Sequence, residues 1–158
     1  MTPKHSFLPA LVAVVLFAVP AHATEREKWD QAALTELSSE LVESVKDLRD
    51  SARRQPPSTV ASGQSRARHR LIDLLRLIEQ ECKALHDALA AGESHDQTIS
   101  IFERIEEMRV RAAEEARRLF LPEQTMDKIK AARGVLEKIR PYYDAKPPTD
   151  RGLPGVTD

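Results

Sequence analysis

A single cysteine, Cys82, stands in 158 residues, so no disulfide can close within the chain. Aromatic residues make up only 4% of the sequence, and no alternating β-branched run reads as a strand. No apolar run reaches the roughly 20 residues a membrane-spanning helix needs. No sign of charge dominates either: 24 basic residues face 25 acidic ones, for a formal charge of −1. That balance argues against general nucleic-acid binding, which asks for a strongly basic domain. Site motifs are missing too. One cysteine excludes the Cys-x-x-Cys-His of covalent haem. No histidine has a glutamate three residues before it, as a ferritin-like di-iron site requires. Gly63 and Gly92 stand alone, without a phosphate-cradling pattern. The sequence therefore carries no catalytic signature and implies no cofactor.

What is present begins at the N-terminus. Lys4 precedes an apolar run from Phe7 to Val19, Pro20 breaks it, and Ala21-His22-Ala23 follows. A basic start, a short apolar middle and a small-x-small site make a secretory signal, predicted to be cleaved between Ala23 and Thr24. No cysteine follows the leader, so a lipoprotein anchor is not expected. Cleavage leaves about 135 residues at a formal charge of about −2, enough for one domain with a modest core. The expected location is the periplasm, with secretion as the alternative. No membrane anchor is expected after cleavage.

The rest of the chain reads as helices. Residues 25–54 carry Leu34, Leu37, Leu41, Val45, Leu48 and Ala52 at gaps of three and four, with Trp29 extending the stripe by a turn. Pro56-Pro57 ends this helix. Residues 65–91 form the second, opened by Ser65 as N-cap and closed by Gly92. Its stripe runs through Ala67, Leu71, Leu74, Ile78, Cys82, Leu85 and Leu89, widened by Ile72, Leu75 and Leu77. A helix so apolar in its middle predicts more than one neighbour. Ser94-His95-Asp96-Gln97 fits a capping box opening the third helix, 95–120. Pro122, at the first helical position, opens the fourth, 122–140. Gly134 weakens it, and Pro141 ends it. Residues 142–158 read as a disordered tail, since Lys146 to Asp158 lacks apolar periodicity, with Tyr142 and Tyr143 able to fold back onto the bundle end. The domain is thus residues 24–141, and the predicted fold is all-α: an elongated, antiparallel, up-down-up-down four-helix bundle. Helical hairpins packed across a dimer axis are the alternative.

Two clusters invite a functional reading. Arg66, Arg68 and Arg70 crowd the start of the second helix, where positive charge opposes the helix dipole. Arg53 and Arg54 end the first helix and Arg117 and Arg118 the third, so the bundle would bring all of them to one end. Arginine at a helix C-terminus is favourable and needs no function. Asp73 can pair with His69 and Arg70. Arg66 and Arg68 have no evident local partner, and a local rule broken without compensation marks a place to look for function. This end is the expected contact for an anionic group or a partner's acidic face. The other cluster is metal-like: Glu79, Cys82 and His86 follow one side of the second helix, and His95 opens the third at the same bundle end. Cys82 also continues the apolar stripe, so a small buried hydrophobe is the simpler expectation.

The leading functional expectation is a non-enzymatic, exported helical protein that binds or scaffolds a protein partner in the cell envelope, with a homodimer compatible with the stripes. The alternatives are a metal-binding or stress-responsive periplasmic helical protein and a small-ligand carrier with a pocket between helices. The Leu-Thr-x-x-Gln repeat of one group of small exported helical proteins is absent, since Leu34-Thr35-Glu36-Leu37-Ser38 lacks the glutamine.

Overall fold

The computed structural model describes residues 28–54 and 62–143. The expected leader at 1–23, its cleavage point, and the chain beyond Tyr143 lie outside the described residues. Four helices form an all-helical bundle: α1 Gln31–Arg54, α2 Ser62–Ala90, α3 His95–Ala116 and α4 Glu123–Ile139, followed by a 3-10 turn over Arg140–Tyr143. None of the described helices is long and apolar enough to cross a membrane.

The helix ends follow local chemistry, and several move from their expected places. α1 starts at Gln31 because Asp30 Oδ1 accepts the Ala33 N–H at 3.0 Å, an N-cap geometry. Trp29 therefore precedes the helix and does not extend its stripe. Its indole N–H donates to Gln31 Oε1 at 2.9 Å. α2 begins at Ser62, so Ser65 lies inside the helix and is not its cap. Gly92 ends α2 at φ +83°, with Gly92 N–H donating to the Leu89 carbonyl and Glu93 N–H to that of Ala88, both at 3.0 Å. This paired closure needs a left-handed residue, which glycine adopts without strain. At the start of α3, Gln97 Oε1 accepts the Ser94 N–H at 2.8 Å, the reciprocal half of a capping box. α3 stops at Ala116, four residues early, as Arg118 and Leu119 turn back onto the Glu115 and Ala116 carbonyls. Pro122 is the N-cap of α4 and not its first helical residue, with extended backbone (ψ 152°) and its carbonyl accepting the Met126 N–H.

The core is the sum of the stripes. Leu34, Leu41, Val45 and Leu48 of α1 meet Leu71, Leu75, Ile78, Cys82 and Leu85 of α2, and Phe102 and Ile105 of α3 complete it with Leu136 and Ile139 of α4. Each large side chain so buried stabilises the fold by about 1.5–3 kcal/mol. α2 packs on both α1 and α3, as its broad apolar face requires, while Leu77 is left 41% exposed.

Helix starts and ends meet. Gln31 donates its side-chain N–H to the Leu89 carbonyl, joining the start of α1 to the end of α2. Ser51 and Thr125 hydroxyls lie 3.0 Å apart, joining the end of α1 to the start of α4. Arg104 pairs with Glu81 at 2.9 Å between α3 and α2. The helices are thus ordered α4–α1–α2–α3 around the bundle.

The circle does not close. No Cα of α3 comes within 8 Å of a Cα of α4. Among the described residues, those after α4 bridge the gap at one end. Arg140 forks onto Glu106 of α3, Nε to Oε1 at 2.8 Å and Nη2 to Oε2 at 3.2 Å. Tyr143 stacks on Phe102 with centroids 4.5 Å apart and donates its hydroxyl to Thr98 Oγ1 at 2.9 Å. Trp29 meets the Tyr143 ring edge-on at 5.6 Å and His95 at 5.7 Å. Tyr142 and Tyr143 are buried, so the fold extends past residue 141. Their ring area, which no periodic stripe records, holds them there.

Candidate interaction surfaces

The arginine-rich end assembles as expected, but much of its charge is used within the fold. Arg68 Nη2 donates to the Arg53 carbonyl at 2.9 Å and to the Ala52 carbonyl at 3.3 Å. It thereby caps the C-terminus of α1, whose last carbonyls have no partner inside the helix. Arg70 lies 3.5 Å from Glu115, and Arg118 lies 3.4 Å from the same carboxylate. Arg118 reaches this carboxylate from just beyond the end of α3. Arg66 is exposed and also engaged, and Arg53 and Arg54 are exposed. Arg53, Arg68 and His69 border a shallow hollow that also contains Asp73, so its charge is mixed. Nε and Nη2 of Arg117, like Nε of Arg68, are buried without an acceptor.

The metal-like residues are held apart by other partners. Glu79 is 4% exposed and receives Arg49 of α1 by a short ion pair and Lys83 at 2.7 Å. His86 is half-buried, with Nδ1 3.0 Å from the hydroxyl of buried Ser38 on α1. His95 lies 2.7 Å from Asp96 and stacks near Tyr143. Cys82 is fully buried, and burial, with help from the Glu79 and Glu81 charges, pushes its thiol from 9.0 up to about 12. A thiol that resists ionisation is a poor metal ligand and nucleophile. Among the described residues, no three His, Cys, Asp or Glu side chains gather closely enough to hold a metal ion.

Sequence reasoning missed the open seam between α3 and α4. It forms a cleft of about 90 Å³ whose lining is almost wholly apolar. Val45 and Leu48 of α1 and Leu71, Leu75 and Ile78 of α2 form its floor. Ala112, Ala113 and Ala116 form one wall, and Ile129, Ala132 and Leu136 the other. The α3 wall is made of alanines at the level where a closed bundle would place larger side chains. That run of small residues was the one available sequence signal. Arg109, Lys130 and Arg133 also line the cleft, and no acidic residue does. Arg109 pairs with Glu106 at 3.0 Å, Lys130 with Asp127 at 3.6 Å and Arg133 with Glu137 at 2.8 Å, each on its own helix. The Lys130 and Arg133 pairs are solvent-exposed local pairs, worth about 0–1 kcal/mol, so an incoming carboxylate can compete there, whereas Arg109 is largely buried against a Glu106 that Arg140 also holds. The volume is well below the roughly 300–1,000 Å³ of small-molecule pockets. It suits one or two side chains. Trp29, Phe102 and Met108 do not line it.

The fold and the cleft together define a four-helix bundle with an open apolar seam between α3 and α4. No protein-family model matches this chain, and no curated protein or solved structure is significantly similar to it.

Proposed function

We propose that this chain is an exported, non-enzymatic helical protein that binds a protein partner through the α3–α4 seam. In this reading the mature chain starts at Thr24, works in the periplasm, and is an elongated up-down-up-down bundle. The observation that carries the binding reading is the apolar seam with its basic rim. Its occupant is a protein segment whose apolar side chains enter between Ala113 and Ile129 and whose flanking carboxylates meet Lys130 or Arg133. Burying apolar side chains supplies the affinity, and the rim charges set orientation. Export is supported by Lys4, the Phe7–Val19 run and Ala21-His22-Ala23. The exposed arginines Arg53, Arg54 and Arg66 add a basic field that favours acidic surfaces.

The test is site-specific photo-crosslinking in the intact envelope. A photoreactive residue at Ala113 or Ile129 is expected to crosslink to an apolar peptide flanked by Asp or Glu. A probe at exposed Glu36 serves as control. Crosslinks equal to the control, or to lipid only, would overturn the binding reading. An N-terminus other than Thr24 on the mature chain would overturn the export reading.

A further inference from the structure

The same molecule carries a knob that suits its own cleft. Phe120 is 91% exposed, whereas Phe102 and Tyr143 are buried at 1% and 3%. Among the described residues there are five aromatic side chains, and Phe120 is the one of them that stands exposed. Phe120 lies on the connector from α3 to α4, which crosses the seam at the arginine end. Its neighbours Leu119 and Leu121 pack against the core and fix the connector, so the knob stands on an anchored base. The segment Leu119-Phe120-Leu121-Pro122-Glu123 is apolar and followed by an exposed carboxylate. That is the chemistry the basic-rimmed seam selects.

Resting on the seam reading, we infer that the seam's occupant is a second copy of this chain, with each Phe120 seated in the other's cleft. The geometry is reciprocal. At a rise of about 1.5 Å per residue Ala112 lies about 6 Å before Ala116 along α3, and Phe120 follows Ala116 by four residues on the connector. In the inferred dimer a two-fold axis beside Ala116 seats each Phe120 in the second copy's cleft, at its alanine wall. Each exposed Glu123 then faces the basic rim of the second copy's cleft. The contact is self-complementary and closed, as a two-fold dimer requires.

The test is sedimentation equilibrium of the mature chain from about 1 to 500 µM, the range in which a small interface associates. The wild type is expected to dimerise with a micromolar Kd. Phe120→Ser, at an exposed position, should keep the fold and raise Kd roughly 30-fold or more, as loss of a central aromatic anchor does. Ala113→Phe, which fills the cleft, should do the same. Mixing the two monomeric variants should restore a heterodimer, because one intact knob then meets one intact slot. A wild type that stays monomeric, or a dimer that ignores Phe120→Ser, overturns the inference. A crosslink from Ala113 to another protein's apolar-acidic segment, with this chain monomeric, leaves the seam reading standing and the self-association refuted.

Discussion

Cys82 makes stability fall in alkali in a way that can be isolated. The thiol is fully buried between the helices, and burial raises its pKa from 9.0 to about 12. Below pH 9 it is neutral in both folded and unfolded chains and contributes no pH dependence. Between pH 9 and 12 only the unfolded chain releases the proton, so stability is lost as pH rises. The slope is about 1.4 kcal/mol per pH unit, giving a loss of about 3 kcal/mol by pH 11. Tyr143 adds a loss of the same sign above its ordinary value of 10.0, because burial raises its phenol too, partly offset by its Thr98 hydrogen bond. A Cys82→Ala comparison separates the two. That variant costs about 1–2 kcal/mol at pH 8 through lost packing. Urea unfolding at pH 8, 9, 10 and 11 should show the two stability curves converging and then crossing. Curves that stay parallel would refute the buried, neutral thiol. So would a native thiol that reacts with a disulfide reagent at neutral pH.

Three further outcomes follow from particular contacts. Arg49→Met should cost about 2–3 kcal/mol in urea unfolding by leaving Glu79 with Lys83 alone. Adding Glu79→Leu should recover most of that, since the cost is an uncompensated buried charge. Tyr143→Phe should cost about 1 kcal/mol for the lost Thr98 hydrogen bond, and Tyr143→Ala about 3–5 kcal/mol for the lost ring, both read by thermal unfolding. Gly134→Ala should stabilise α4 by about 0.5–1 kcal/mol, because an added Cβ meets nothing within 4 Å.

The sequence revealed the parts of this fold that short-range chemistry decides. The helical stripes appear as spacing, and Gly92 and Pro122 punctuate them within a residue. Long-range partners were not legible. Arg68 looked unexplained because its acceptors, the Ala52 and Arg53 carbonyls, belong to another helix. Glu79 looked like a metal ligand because Arg49 is thirty residues away in sequence. Trp29 fitted the α1 stripe by spacing, but the Asp30 cap starts the helix after it. Tyr142 and Tyr143 fell beyond any stripe and are placed by ring packing. The seam was hidden for a related reason. A stripe tells which face of a helix is apolar, not whether two neighbouring faces meet. Ala112, Ala113 and Ala116 read equally well as a closely packed wall and as one side of a gap.

The most direct test of the open seam is the sign of the stability change in Ala113→Leu, measured by urea unfolding with Phe120→Ser in the background to exclude self-association. Three carbons added into an open apolar cleft should leave stability unchanged or raise it by up to about 2 kcal/mol, at about 0.8 kcal/mol per buried carbon. A seam that is closed and fully packed would instead be overfilled, and the variant would lose about 1–3 kcal/mol. A loss of that size would contradict the account.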